Sequence, residues 1–141
     1  MEIESLIEDV KDEYWRKRIK NSVQNILHLY KLKESDIKVF RAGVEPKDIW
    51  IVAVDECNPK EAERLMRVRY SKKLPSPITL IQYKNKKVIF IGSNRSLVFV
   101  LKNQVPDCIV VKLPDDIKEP KMVSEAKINL EEILKSDKTG K

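Results

Sequence analysis

The sequence predicts an α/β fold: a single domain over residues 1–135 with a mixed sheet of about five strands and helices on its faces, then a disordered tail over 136–141. Three observations carry this. Segments with apolar residues at helical spacing alternate with short β-branched runs. Two units, Ile49–Tyr83 and Val88–Lys112, read as strand–helix–strand, which implies some parallel pairing. Lys84-Asn85-Lys86 separates two apolar runs at hairpin distance, which implies an antiparallel pair. The order read from the chain is α-β-β-α-β-β-α-β-α.

Residues 3–33 contain neither Gly nor Pro and read as helical, but the apolar stripe changes side. Ile3, Ile7, Val10 and Tyr14 share one face, while Ile19, Val23, Ile26, Leu27 and Tyr30 share another, nearly opposite. Either the chain bends near Trp15 to Lys20, or the first half packs on something else: a partner chain or the domain's own C-terminal helix. Asp36–Arg41 and Ile49–Val54 read as strands, the second apolar on both faces and therefore central. Asn58-Pro59-Lys60-Glu61 is a helix start: Asn58 caps, Pro59 suits the first position, and Glu61 sits as in a capping box. Ala62, Leu65 and Met66 form its inner face, and Leu74-Pro75-Ser76-Pro77 ends it. Ile78–Tyr83 and Lys87–Ile91 flank the hairpin turn. Ser93–Gln104 is taken as a helix, although the run Leu97–Leu101 would suit a strand equally well. Cys108–Lys112 is a buried strand, Pro114–Pro120 a loop, and Met122–Leu134 a terminal helix with Val123, Ala126, Leu130, Ile133 and Leu134 inward.

The 141 residues carry 28 Lys and Arg against 22 Asp and Glu, a net charge of +6. That balance invites a polyanion partner, while lysine interleaved with acids also describes an ordinary solvated surface. High Lys and Glu with three glycines resembles the composition of heat-adapted proteins. Cys57 and Cys108 are too few for a disulfide framework, and His28 is the only histidine, so neither a metal site nor a cofactor is expected. The acidic start Met1-Glu2-Ile3-Glu4 lacks the apolar run of a signal peptide, and no apolar segment approaches membrane-spanning length. The expectation is a cytoplasmic protein with reduced thiols.

Three candidate sites stand out. The first is Gly92-Ser93-Asn94-Arg95-Ser96, where a buried strand stops at one glycine and a capped helix begins. Free helix N–H groups, a hydroxyl and the Arg95 fork there suit a phosphate; the alternative is a capped turn with an exposed arginine. The second is the basic face Lys60, Arg64 and Arg67, continuing to Arg69, Lys72 and Lys73, which could track a phosphate backbone or pair with Glu61 and Glu63. Tyr70 and Tyr83 are spaced for the core more than for stacking on bases. The third is the Ile3, Ile7, Val10 and Tyr14 stripe, a docking face for a protein partner or a second copy.

Lys87–Glu119 resembles the strand–turn–helix–strand of the archaeal kink-turn-binding ribosomal-protein family, with Gly92, Asn94, Arg95 and Ser96 at the positions where that family contacts RNA. Pro114-Asp115-Asp116-Ile117-Lys118 is similar to its following loop, and Asp48–Glu63 to a further strand and helix start that here comes earlier in the chain. The same run is similar to part of the Alba chromatin-protein family. Asp48 or Asp55 with Gln82-x-Lys84 resembles the acid and Gln-x-Lys pattern of restriction-type nucleases, whose chemistry places Mg²⁺ on carboxylates and a lysine near the attacked phosphate. The leading expectation is a non-catalytic protein binding nucleic acid, RNA ahead of DNA, through a basic face and the Gly92 turn. A protein–protein module comes second and a nuclease-like enzyme, active or degenerate, third.

Overall fold

In the computed structural model, which describes residues 3–139, one six-stranded mixed sheet has helices on both faces. The strands are β1 (Lys38–Gly43), β2 (Ile49–Ile51), β3 (Ile78–Tyr83), β4 (Lys86–Ile91), β5 (Asp107–Lys112) and β6 (Ile128–Asn129). The helices are α1 (Ile3–Leu6), α2 (Glu13–Tyr30), α3 (Pro59–Val68), α4 (Ser93–Leu101), α5 (Lys121–Glu125) and α6 (Leu130–Thr139). Strand order is β1-β5-β3-β4-β2-β6. The expected hairpin is β3–β4, antiparallel with Tyr83 opposite Lys86, and Lys84 takes the turn at φ 54°. Parallel pairing joins β2 to β4 and β3 to β5, but it does not arise within the two strand–helix–strand units as expected: β3 and β4 are antiparallel, so β2 runs antiparallel to β3 and β4 antiparallel to β5.

Period-2 alternation divides the core. Ile81, Tyr83, Val88, Ile109 and Val111 pack under α1, α2 and α5, together with Ile19, Val23 and Ile26. Ile78, Leu80, Ile89, Cys108 and Val110 pack under α3, α4 and α6, together with Ala62, Leu97, Val98, Leu130 and Ile133. Between the layers, Ser22 on α2 lies 2.8 Å from Thr79 on β3, hydroxyl to hydroxyl, with both side chains buried. The Leu97–Leu101 run is helical; its buried residues Leu97, Val98 and Phe99 fill the space above the sheet.

Five further expectations need correction. The N-terminal helical region breaks at residues 7–12, ahead of the expected 15–20. Asp12 is the N-cap of α2, its Oδ1 accepting from Tyr14 N at 2.9 Å. The break lets α1 fold back, so Ile3, Ile7 and Val10 join the same core as Ile19, Val23 and Ile26. Those three are therefore covered by this chain's own residues, and of the proposed docking stripe only Tyr14 is exposed. β2 is shorter than expected and second from the sheet's edge: Val54 lies in a 3-10 turn and is exposed. The terminal helix is two helices separated by β6. Val123, Ala126, Leu130 and Ile133 are buried as expected. However, Asn129 starts a new helix through a capping box, its Oδ1 accepting from Glu132 N at 3.0 Å while Glu132 Oε1 accepts from Asn129 N. α6 continues through four residues of the expected tail; Gly140 and Lys141 lie outside the described residues. Among the described residues no helix is long and apolar enough to cross a membrane.

Candidate functional site

β2 and β4 run parallel, and just beyond their carboxyl ends two helices begin side by side. β4 ends at Ile91, and Gly92 turns the chain into α4 at φ 112°. Only glycine fits there: a Cβ would lie 2.6 Å from Ile78 Cγ2 and 3.0 Å from an Arg95 guanidinium nitrogen. The interference expected at this turn is thus real, and its partners are a fully buried isoleucine and the arginine itself.

α3 begins beside it. Asn58 Oδ1 accepts from Lys60 N at 2.9 Å and from Glu61 N at 3.3 Å, which is the cap the sequence announces, but Glu61 turns to Arg64 and does not close the expected capping box. Asn58 N in turn donates to Asn94 Oδ1 at 2.8 Å, and the Cys57 thiol approaches Ser93 O at 3.8 Å. Two helix amino ends are therefore stitched together. Each carries the positive end of a macrodipole, but only α4, whose N-cap is Gly92, lacks a side-chain cap on its first-turn N–H groups. Burial pushes the Cys57 thiol up to about 12, so it serves here as a small apolar group and not as a nucleophile.

Arg95 departs from the expected exposed arginine. It is 8% exposed, and its guanidinium carbon lies 4.2 Å from the centre of the Trp15 ring. One terminal nitrogen donates to Pro77 O at 3.1 Å, and Nε is buried without an acceptor. No carboxylate pairs with it among the described residues. Burial, with a smaller contribution from nearby Arg18, lowers its pKa to about 10, so the group is still charged at neutral pH. Trp15 and Pro77, which hold it, also line an open cleft of about 660 Å³ between the α1–α2 turn and the Lys73–Pro77 segment. Arg41 lines the same cleft but is fully engaged, gripping both Asp9 and Asp107 and donating to Leu6 O.

The remaining predicted residues separate. Ser93 and Asn94 are half-buried at the junction. Ser96 is fully buried and donates its hydroxyl back to Ser93 O, so it is not available to a ligand. Lys60, Arg64 and Arg67 are exposed on α3, with Lys60 in the first turn beside Asn58. Arg64 is bound by Glu61 through Nε and a terminal nitrogen, which holds the Glu61 carboxyl below its ordinary range. Tyr70 and Tyr83 are core residues. Asp48 and Asp55 lie at opposite ends of β2, and the Gln82 amide is turned onto Lys84 O at 2.8 Å, so the nuclease pattern is not assembled. Among the described residues no three of His, Cys, Asp and Glu lie together as a metal group would need.

Trp15, Pro77 and the Asn58–Asn94 contact are the parts of this site that sequence reasoning missed. Both helix starts were readable; that they meet was not. No protein-family model matches the chain, and comparisons with curated proteins and with solved structures give no match.

Proposed function

We propose that the protein is a non-catalytic nucleic-acid-binding protein, RNA ahead of DNA, that holds a backbone phosphate at the junction of the α3 and α4 amino ends. The observation that supports this most is Arg95. A buried cation without a counter-charge costs several kcal/mol in effective desolvation, even after relaxation. An anion at the neighbouring amino end of α4 would offset that cost, because the first turn of α4 has no side-chain cap, whereas the first-turn N–H groups of α3 are already taken by Asn58. Lys60 and Arg67 extend positive charge from the junction along α3, where Arg64 contributes little because Glu61 neutralises it. A polymer of phosphates suits this better than a single anion, since exposed Arg69, Lys72 and Lys73 follow α3 along the chain. The docking reading of the N-terminal stripe loses its basis, because Ile3, Ile7 and Val10 are core residues. The reading places the protein in the cytoplasm, consistent with two buried free cysteines.

The test is a titration of labelled single- and double-stranded RNA and DNA at two salt concentrations, with wild type, Lys60→Ala and Arg67→Ala. Binding should weaken with salt, and each substitution should lower the salt slope by about one. Wild-type protein without salt-dependent binding to any of the four would end the reading. Arg95→Ala is the poorer probe: it removes a buried side chain stacked on Trp15 and would perturb the fold as well.

A further inference from the structure

A registered row of lysines crosses the sheet at the end remote from Gly92. Lys38 on β1 lies opposite Lys112 on β5, Lys112 opposite Gln82 on β3, and Gln82 opposite Lys87 on β4. Registered partners project to the same side of a sheet. That side is the one carrying α3, α4 and α6, because the residues two positions along, Val110, Leu80 and Ile89, belong to the core beneath those helices. The row covers three strand spacings, roughly 14 Å. Lys38 is exposed, and Lys112 and Lys87 are half-buried.

Other cations that reach into this molecule have partners. Lys86 donates to Val123 O and Ala126 O at the end of α5, Lys102 to Tyr70 O and Lys73 O, and Arg16 and Arg41 hold the N-terminal turn. Lys38, Lys112 and Lys87 form no ion pair among the described residues. Two of them, Lys38 and Lys112, stand directly across from each other, and like charges in that position destabilise a sheet. On the same side, one row further in, Phe40 at the sheet's edge is 36% exposed.

We propose that this row is a second nucleic-acid contact, taking the phosphates of a single strand laid across β1, β5, β3 and β4 with a base stacked on Phe40. Strand-spaced ammonium groups supply the counter-charge, an anionic backbone relieves their mutual repulsion, and an aromatic face at the edge accepts a base of any identity. A duplex offers no free base for Phe40. The row does not depend on the Gly92 turn, from which it is separated by about 16 Å along β4.

Titrating ¹⁵N-labelled protein with a single-stranded oligouridylate of about ten nucleotides, a length within the range one small domain covers, locates the contact. Amide shifts should concentrate at Lys38, Phe40, Lys112 and Lys87. The triple variant Lys38→Ala, Lys112→Ala, Lys87→Ala should bind at least about tenfold more weakly at low salt, with a salt slope lower by about two to three. Phe40→Ala should weaken binding and leave the slope unchanged. The triple variant should fold at least as stably as wild type, since it removes a like-charge pair. Wild-type affinity in the triple variant, with shifts confined to Lys60 and Ser93–Arg95, would overturn the row and leave the Gly92 junction standing. Equal affinity for duplex and single strand would overturn the stacked path, and no binding of either would overturn both surfaces.

Discussion

Replacing Gly92 by alanine tests the geometry on which the junction depends. Two costs add. A non-glycine residue at φ 112° is strained, at about 1–2 kcal/mol for the left-handed region. The added methyl would stand 2.6 Å from Ile78 Cγ2 and 2.9 Å from Ile78 Cβ, and Ile78 is fully buried with no room to withdraw. Overpacking of this kind costs about 1–3 kcal/mol. The sum, about 2–5 kcal/mol, is a large part of the about 5–15 kcal/mol that holds a domain folded. For a chain of 141 residues it corresponds to a fall in melting temperature of roughly 6–15 °C. Gly43→Ala is the control. Gly43 does not require a left-handed backbone, and its nearest neighbour at 3.2 Å is the side chain of the exposed Val105, which can move aside. Urea and thermal unfolding followed by circular dichroism would compare the two variants with wild type. If Gly92→Ala lost less than about 0.5 kcal/mol, or no more than Gly43→Ala, the account of the turn would be wrong.

Three further expectations concern what holds the site's surroundings. Ser22→Ala leaves the buried Thr79 hydroxyl without its partner and should cost about 1–3 kcal/mol, while the double variant with Thr79→Val should recover most of that in urea melts. Removing residues 1–11 takes Ile3, Ile7 and Val10 out of the core; at about 1.5–3 kcal/mol for each buried side chain, the truncated protein should unfold far more easily. An equally stable truncation with altered oligomeric mass would restore the docking role for this stripe. Asp9 is held below its ordinary range by the Arg41 hydrogen bond, so the unfolded chain takes up its proton first as pH falls. Its contribution to stability is full above the unfolded value near pH 4 and is lost as pH falls through the lower folded value. Asp9→Asn should flatten that acid limb by a small amount, since the carboxylate is largely exposed and screened; an unchanged limb would count against the pairing.

The fold was legible where local signals were unambiguous. Asn58-Pro59 fixed the start of α3, and the Lys84-Asn85-Lys86 turn fixed the β3–β4 pair. It was illegible where one short-range signal masked another. Asp12 and Asn129 are both helix caps, yet each sits inside a stretch that helical periodicity alone carries straight through. The opposed stripes of residues 3–30 were a true signal read with the wrong bend: the turn at 7–12 reconciles them on one core. The site was legible only in part. Gly92 and the two helix starts stand in the sequence, but the burial of Arg95 depends on Trp15, some eighty residues away along the chain, and no local pattern encodes that contact. The lysine row was equally hidden, because it exists only once four strands are placed in register.

The stack of Arg95 on Trp15 makes the central claim directly measurable. In a Trp50→Phe background Trp15 is the only tryptophan, and its emission reports the guanidinium 4.2 Å away. If a nucleic-acid phosphate occupies the junction beside Arg95, titration with single-stranded RNA should change that emission saturably, and the change should vanish as salt rises. RNA that binds, by an independent assay, while Trp15 emission stays constant would contradict the account.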